Sequence, residues 1–451
     1  MNQSLRRAAG VLPRARAGVL ALIAAGLLAA CASPGGTPSA ATDLGRETLA
    51  ADDGWAAAES GTWGGADARP EHVYEVRNRA ELVAALALGQ AGGAPSNSPK
   101  IVKVRGTIDL SVDDANRPLG YADYRDPAFD FDAYLKAYDP ATWGKKPVEG
   151  PLEEARKRSA QRQAARTTIR VPSNTTIVGV GRDARIVHGM LLLEKVENVI
   201  VRNIHFEDAY DHFPAWDPKD NAGGEWNSEY DNVSLRGATN VWIDHCTFSD
   251  GARPDHTART ALGRRMQHHD GQLDITLQSN HVTVSWNHFR DHDKTNLVGG
   301  SDSIKADDGK LKVTFHHNLW EGTKERAPRV RYGEVHVYNN LYVADSRPPM
   351  GYGYSIGVGF NSRVFSENNV WEASPDVRAT ALVKLWKGST FFDRGSLLNG
   401  RPVDLFASLQ EANPTATLSR EVGWQPRLHG KIDDAADVAR RVRASAGAGR
   451  L

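Results

Sequence analysis

Six stretches of the chain can be laid over one another without gaps. They are "NVIVRNIHF" from Asn198, "NVWIDHCTF" from Asn240, "HVTVSWNHF" from His281, "KVTFHHNLW" from Lys312, "EVHVYNNLY" from Glu334 and "RVFSENNVW" from Arg363. All six end on an aromatic residue: Phe206, Phe248, Phe289, Trp320, Tyr342 and Trp371. The last four carry asparagine at the seventh position: Asn287, Asn318, Asn340 and Asn369. Starts recur every ~20 to 40 residues, the period of stacked repeat architectures. Apolar residues alternate inside each stretch, which marks a strand rather than a helix. A tight bend and a second short strand follow. One such unit cannot bury its own inner face, and stacking on the next unit makes a continuous core. The pattern therefore predicts an all-β chain folded as a single-stranded parallel β-helix, with aligned asparagines bonded from coil to coil. A propeller or sandwich would need antiparallel hairpins with Asn-Gly-type turns, and few are present.

The flanks differ from the repeat. "PEHVYEVRNRAELVAAL" from Pro70 reads as a strand and then a helix capping the N-terminal end of the solenoid. A long insertion begins near Tyr121 and contains "EEARKRSAQRQAART" from Glu153, read as a solvated helix. The segment from Val403 onward reads as polar, helical and packed along the outside.

At the N-terminus, Arg6, Arg7, Arg14 and Arg16 precede an apolar run from Ala17 to Ala30, the layout of a signal peptide. The run ends Leu28-Ala29-Ala30-Cys31, which resembles a bacterial lipoprotein signal. That resemblance implies lipidation of Cys31 and export to the cell envelope, at the outer membrane or periplasmic face, or secretion. Residues 1–30 are then the signal, 31–53 a small-residue tether, and 54–451 the folded domain. The second cysteine, Cys246, reads as a small buried hydrophobe.

Fifty-five basic residues balance fifty-five acidic ones. No global field points to nucleic acid or to an anionic membrane surface, so an anionic partner has to be met locally. Two familiar motifs lack their context. "GVGRDA" at Gly179 is followed by strands rather than the helix a dinucleotide site needs. "GYSIG" at Gly353 lacks the strand-to-helix turn of a nucleophile elbow.

The acidic positions carry more. Asp231 sits at the entry of one coil, and Asp270 and Asp274 at the entry of the next. Carboxylates crowded from neighbouring coils repel one another unless a cation joins them, and hard oxygen ligands suit Ca²⁺. Lys294 follows in "DHDKTNLVGGSDS", and Arg326, Arg329 and Arg331 in "ERAPRVRYG". Acids followed by fixed cations on one face match a polyanionic chain, with arginine able to grip carboxylates bidentately. His268, His269, His292, His316 and His317 fall in or near repeat strands and read as core or ladder residues.

Together "NVWIDHCTF", "HHDGQLDI", "HDKTNLVGGSDS", "HHNLWEG" and "RAPRVRYGEVHVYNN" resemble the bacterial pectate lyases of the first polysaccharide lyase family. The resemblance spans essentially the whole chain from about Gly54. It implies a right-handed β-helix and a Ca²⁺-dependent β-elimination on polygalacturonate that leaves a 4,5-unsaturated end. Asp231, Asp270 and Asp274 would ligate Ca²⁺, and Arg326 would remove the C5 proton. Lys294 and Arg331 would bind substrate carboxylates, while Pro328 would fix the loop. Arg329 would be structural, pointing away from its neighbours. A monomer is expected. Two other readings remain at this point: a pectin lyase acting on methyl-esterified polymer, against which the three aspartates argue, and a non-catalytic β-helix that binds acidic glycans, against which Arg326 argues.

Overall fold

The structure is a computed structural model that describes residues 43–451. The signal segment, Cys31 and the first part of the expected tether lie outside the described residues. No helix among the described residues is long and apolar enough to cross a membrane.

The chain forms a right-handed parallel β-helix of three sheets with ten, ten and eight strands. A middle coil shows the pattern. Val233–Arg236 enters the third sheet, Thr239–Asp244 the first and Thr247–Ser249 the second, and a loop then leads to Leu273–Thr276 in the third sheet again. Successive coils pair in parallel, with Val233 opposite Leu273 and Val241 opposite Val282.

Each repeat stretch covers a first-sheet strand, a bend and a second-sheet strand. At the bend the sixth residue has positive φ in all six copies: Asn203, His245, Trp286, His317, Asn339 and Asn368. Asparagine tolerates this region at little cost, whereas His245 and Trp286 are held there by the stack. The seventh residues form the ladder. The Asn287 amide donates to Asn318 Oδ1 at 3.0 Å, Asn318 to Asn340 at 3.0 Å and Asn340 to Asn369 at 3.0 Å. Cys246 occupies the same column, fully buried, and its N–H donates to Asn287 Oδ1. The ninth residues stack face to face inside, from Phe206 to Trp371, with centroids 4.5 to 5.4 Å apart. Such stacking adds about 0.5–1.5 kcal/mol per pair to area burial.

Strand Val73–Val76 and helix Arg79–Leu86 close the N-terminal end as expected. Asn78 caps the helix by accepting from the Glu81 N–H at 2.9 Å. The insertion differs from the solvated helix read in sequence. Helix Pro151–Thr167 buries Ala155, Ser159, Gln163 and Thr167. Its Arg156 grips Glu153 through two nitrogens at 2.8 Å, inside a second core built on Tyr134, Phe213 and Trp226. The C-terminal helix Ala435–Ser445 packs Val438 and Val442 onto Leu319, Leu341 and Val370.

The expected tether also needs correcting at its C-terminal end. From Asp43 the chain is part of the folded unit. Leu49 is buried against Ile200 and Trp242, Arg46 donates to the Ala66 and Ala68 carbonyls, and Glu47 pairs with Arg202. Its small residues read as flexible, but they fit closely against the outside of the first sheet.

The ladder predicts a sharp asymmetry. Asn340→Ala strands the Asn318 backbone N–H and one of its amide donors and takes the amide partner from the Phe315 carbonyl, while Asn369 Oδ1 keeps only the backbone N–H of residue 340. Each stranded group costs about 1–3 kcal/mol, so denaturant unfolding should show a loss of about 3 kcal/mol or more. Asn399→Ala, an exposed asparagine outside the ladder column whose side chain bonds only the Ala373 backbone, should cost under about 1 kcal/mol. Equal effects would mean that the ladder bonds contribute nothing special.

Candidate functional site

The third sheet positions the site. Its strands alternate a row turned into the core, including Val233, Leu273, Val298 and Val330, with a row turned outward. Pairing sets that outward row coil by coil: Arg170 opposite Leu192, Leu192 opposite Ser234, and Ser234 opposite Asp274. The Leu297 N–H donates to Asp274 Oδ1 at 3.0 Å, which links Asp274 to the next coil. From there Leu297 lies opposite Arg329, Arg329 opposite Gly357 and Gly357 opposite Lys384. Adjacent strands are roughly 4.8 Å apart, so charges along this row recur at the scale of a sugar chain lying across the strands.

The loops entering the third sheet bring three carboxylates together. Asp231 Oδ1 accepts from the Gly271 N–H at 2.9 Å. A Cβ on Gly271 would stand 2.3 Å from Asp274 Oδ1 and 3.0 Å from Asp231 Oδ1, so only glycine leaves room for both. Burial, then the neighbouring Asp270 charge, pushes Asp231 up to about 7. Burial, then Asp231 and Asp270, pushes Asp274 well above the usual carboxylate range. Asp270 is the exception. Burial alone would raise it, but Lys294 Nζ donates to its Oδ1 at 2.9 Å and the ammonium charge draws its pKa down. Burial works against the Lys294 charge, and Asp270 outweighs it.

Behind these groups stands a polar support that the sequence did not reveal. His292 bridges the Asp250 carboxylate at 2.7 Å and the Asp270 carbonyl at 2.6 Å. His269 bridges Asp208 and Asp255 at 2.9 and 2.7 Å; burial works against its charge, and Asp250 together with those two acids lifts it to about 10. Both were read as core or ladder histidines. Their column in the sequence gives no sign of the aspartates, which come from other coils.

Arg326 follows strand Leu319–Glu325, whose Glu325 lies opposite Lys294. It has φ 62°, and the next peptide, Ala327–Pro328, is cis. Its buried Nε makes no hydrogen bond. Burial pushes its pKa down, but Glu325, Asp274 and Asp270 outweigh this and the net shift is upward. The same set of mutual influences joins Asp231, Asp270, Asp274, Lys294 and Arg326 into one cluster. Arg331 stands apart from it. Its Nε donates to Asp302 Oδ1 at 2.8 Å and its Nη1 to the Gly299 carbonyl at 2.9 Å.

Arg329, expected to be structural and to point away from its neighbours, feels the charges of both Arg331 and Arg326. Its guanidinium lies over the Trp386 ring at 4.4 Å, and Lys384 reaches the same ring at 4.9 Å. Gly357 between them leaves the gap; a Cβ there would meet Arg329 Cγ at 3.0 Å. Arg329 Nε, Trp386 Nε1 and the Tyr354 hydroxyl are all unpartnered. This end of the groove was missed because Arg329 and Lys384 are far apart in sequence and meet only through strand register.

The donor set fits a hard divalent cation: three carboxylates, two of them carrying a strong penalty for ionising together, around a glycine that makes space. Among the described residues no three such groups already form a closed cage, because Asp270 is drawn to Lys294.

A family model described as pectate lyase matches residues 149–419. A pectate lyase of Bacillus subtilis is 48% identical over 91% of this chain and 95% of its own length. Pectate lyase E of Dickeya dadantii is 36% identical over 80% of this chain and 78% of its own. Among solved structures, a pectate lyase bound to a hexasaccharide superposes with a TM-score of 0.86 at 48% identity, covering 91% of this chain and 100% of that one. The pectate lyase of Acidovorax avenae subsp. citrulli gives 0.83 at 38% identity, covering 93% and 99%. With the fold, the groove and these likenesses in agreement, the chain belongs to the pectate lyase family of polysaccharide lyases.

Proposed function

We propose that the chain cleaves de-esterified polygalacturonate by Ca²⁺-assisted β-elimination, with Arg326 as the base. The observation that carries this reading is the convergence of Asp231, Asp270, Asp274, Lys294 and Arg326 from neighbouring coils into one interacting cluster at the third sheet. The solved relative that holds a hexasaccharide supports a sugar chain as the occupant of such a groove.

The chemistry asks for this arrangement. The C5–H of a galacturonate is α to its carboxylate, and its removal loads further negative charge onto that group. Arg326 takes the proton, the C4–O glycosidic bond breaks, a C4=C5 double bond forms, and no water is consumed. Lys294 is placed to hold the developing charge, where fixed cations contribute most. Calcium held by the aspartates would neutralise them and bind a substrate carboxylate, acting as a Lewis acid on it. With the aspartate charges cancelled, two of the three carboxylates that raise the Arg326 pKa no longer act. Burial is then the main remaining influence and works in the direction a base needs. Arg331, spent on Asp302 here, serves substrate only by exchanging that partner for a sugar carboxylate. Export as a lipoprotein through Cys31 belongs to the same proposal, since the polymer is extracellular, and the reading needs no second subunit.

Arg326→Ala should lower kcat on polygalacturonate by about a hundred- to ten-thousand-fold, as loss of a general base does, while oligogalacturonate binding persists. The readout is ultraviolet absorbance of the unsaturated product. Strong activity on methyl-esterified pectin in a chelator would overturn the reading.

Asp274→Asn provides a second check. It keeps the acceptor for the Leu297 N–H but removes one buried charge. A carboxyl whose folded pKa is raised destabilises the fold as pH rises through the unfolded value, about 4. In chelator the variant should therefore melt higher than the wild type at about pH 8, with the difference shrinking as pH falls and vanishing near about pH 4. Added Ca²⁺ should raise the wild-type Tm and leave the variant almost unmoved. A variant that responds fully to Ca²⁺ would remove Asp274 from the metal site.

A further inference from the structure

The three aspartates of the cluster are not held alike. Asp231 Oδ1 accepts the Gly271 N–H and Asp274 Oδ1 accepts the Leu297 N–H, so main-chain donors fix both carboxylates. Among the described residues the Asp270 carboxylate has no such donor. It meets only Lys294 Nζ, the end of a long flexible side chain. Where that carboxylate can reach therefore depends on how firmly the Asp270 main chain is held.

That main chain is held on both sides. The Asp270 N–H donates to the Tyr230 carbonyl at 3.0 Å. The Asp270 carbonyl accepts from His292 Nε2 at 2.6 Å, and among the described residues nothing else donates to it. A carbonyl can only accept, so Nε2 carries a proton. On the other side of the ring, Nδ1 meets Asp250 Oδ1 at 2.7 Å, which fixes the ring's rotation. His292 and Asp250 are 2% and 3% exposed, so water does not compete for either bond. The residues before Asp270 are held separately: Asp255 accepts from the His268 and His269 N–H groups at 3.0 and 3.3 Å. His292 and Lys294 lie two residues apart on strand His288–Lys294, so both side chains leave the same face. One strand thereby grips one aspartate at two points, its carbonyl and its carboxylate.

Resting on the reading above, we propose that His292, set by Asp250, is a positioning residue for the cation site. It fixes the Asp270 main chain, so that the carboxylate passes between Lys294 and the cation by side-chain rotation alone. It controls cation affinity rather than proton transfer. Partners that orient a ligand in this way typically change metal affinity by about ten- to a hundredfold.

Two amide substitutions separate the two bonds of the ring. The amide nitrogen of a glutamine reaches the region of Nε2, and that of an asparagine the region of Nδ1. His292→Gln thus keeps the bond to the Asp270 carbonyl, and His292→Asn keeps the bond to Asp250. Calorimetric titration with Ca²⁺ in the absence of polymer should place His292→Gln within about threefold of the wild type and His292→Asn about tenfold or more weaker. On polygalacturonate, the Ca²⁺ concentration giving half the maximal rate should rise to the same extent in His292→Asn, with kcat at saturating Ca²⁺ within about threefold of the wild type. Asp250→Ala frees the ring from its other side and should weaken Ca²⁺ by about threefold or more, which covers the case in which His292→Asn does not fold. Equal affinities in the two amide variants, wild-type affinity in Asp250→Ala, or a kcat that stays low at saturating Ca²⁺ would overturn the proposal and leave the lyase reading standing. A wild type that takes up no Ca²⁺ would overturn the calcium reading and this inference with it.

Discussion

A coil of this chain cannot bury its own inner face, and every other feature follows from that constraint. Valines and isoleucines turned inward on three short strands leave water only when the next coil covers them. Stacking in parallel register then aligns every column of residues, whatever its chemistry. Asparagines in one column become a ladder, aromatics in another become a stack, and acids and cations in a third become a groove. The core and the site are thus products of the same register. A one-residue slip in Leu273–Thr276 would turn Asp274 into the core and Leu273 into the groove.

The electrostatics of the groove show where the fold gives up stability for chemistry. Most buried acids here have close cationic or hydrogen-bonding partners, as Asp244 has in Arg202 and His245. Asp231 and Asp274 have backbone donors but no cation in contact; burial and then Asp270 raise Asp231, and burial, Asp231 and Asp270 raise Asp274. An isolated domain would gain by replacing one of them. The arrangement makes sense for a site completed by a cation and then by an anionic polymer. A chain with balanced overall charge can still gather acids and cations locally, as Asp231, Asp270, Asp274, Lys294 and Arg326 do from neighbouring coils.

The repeat was legible because each of its two strands is long enough to alternate and its bend recurs at a fixed offset. The aspartates were visible as a pattern, although their roles came from the family likeness. The third sheet was harder. Leu297–Val298 and Arg329–Val330 are strands of two residues, too short for any periodicity. The direction of Arg329 could therefore not be read, and its meeting with Lys384 and Trp386 could not be foreseen. Residues 43–53 misled for a different reason: small and polar composition marks a tether and also a segment that packs tightly against a flat sheet. His292 and His269 hid because their carboxylate partners come from separate coils.

The two ends of the groove now differ in kind. Toward the C-terminus, the Arg329 guanidinium and the Lys384 ammonium both lie over the Trp386 ring. Toward the N-terminus, helix Pro151–Thr167 stands over the sheet and turns the groove into a walled cavity. That helix belongs to the insertion rather than to the coils, and its own core of Tyr134, Phe213 and Trp226 holds it in place independently of the ladder. The repeat brings the charged cluster together at the centre, while the insertion walls the third sheet on one side. Changes in the insertion can thus reshape that wall without disturbing the register on which Asp231, Asp270, Asp274, Lys294 and Arg326 depend.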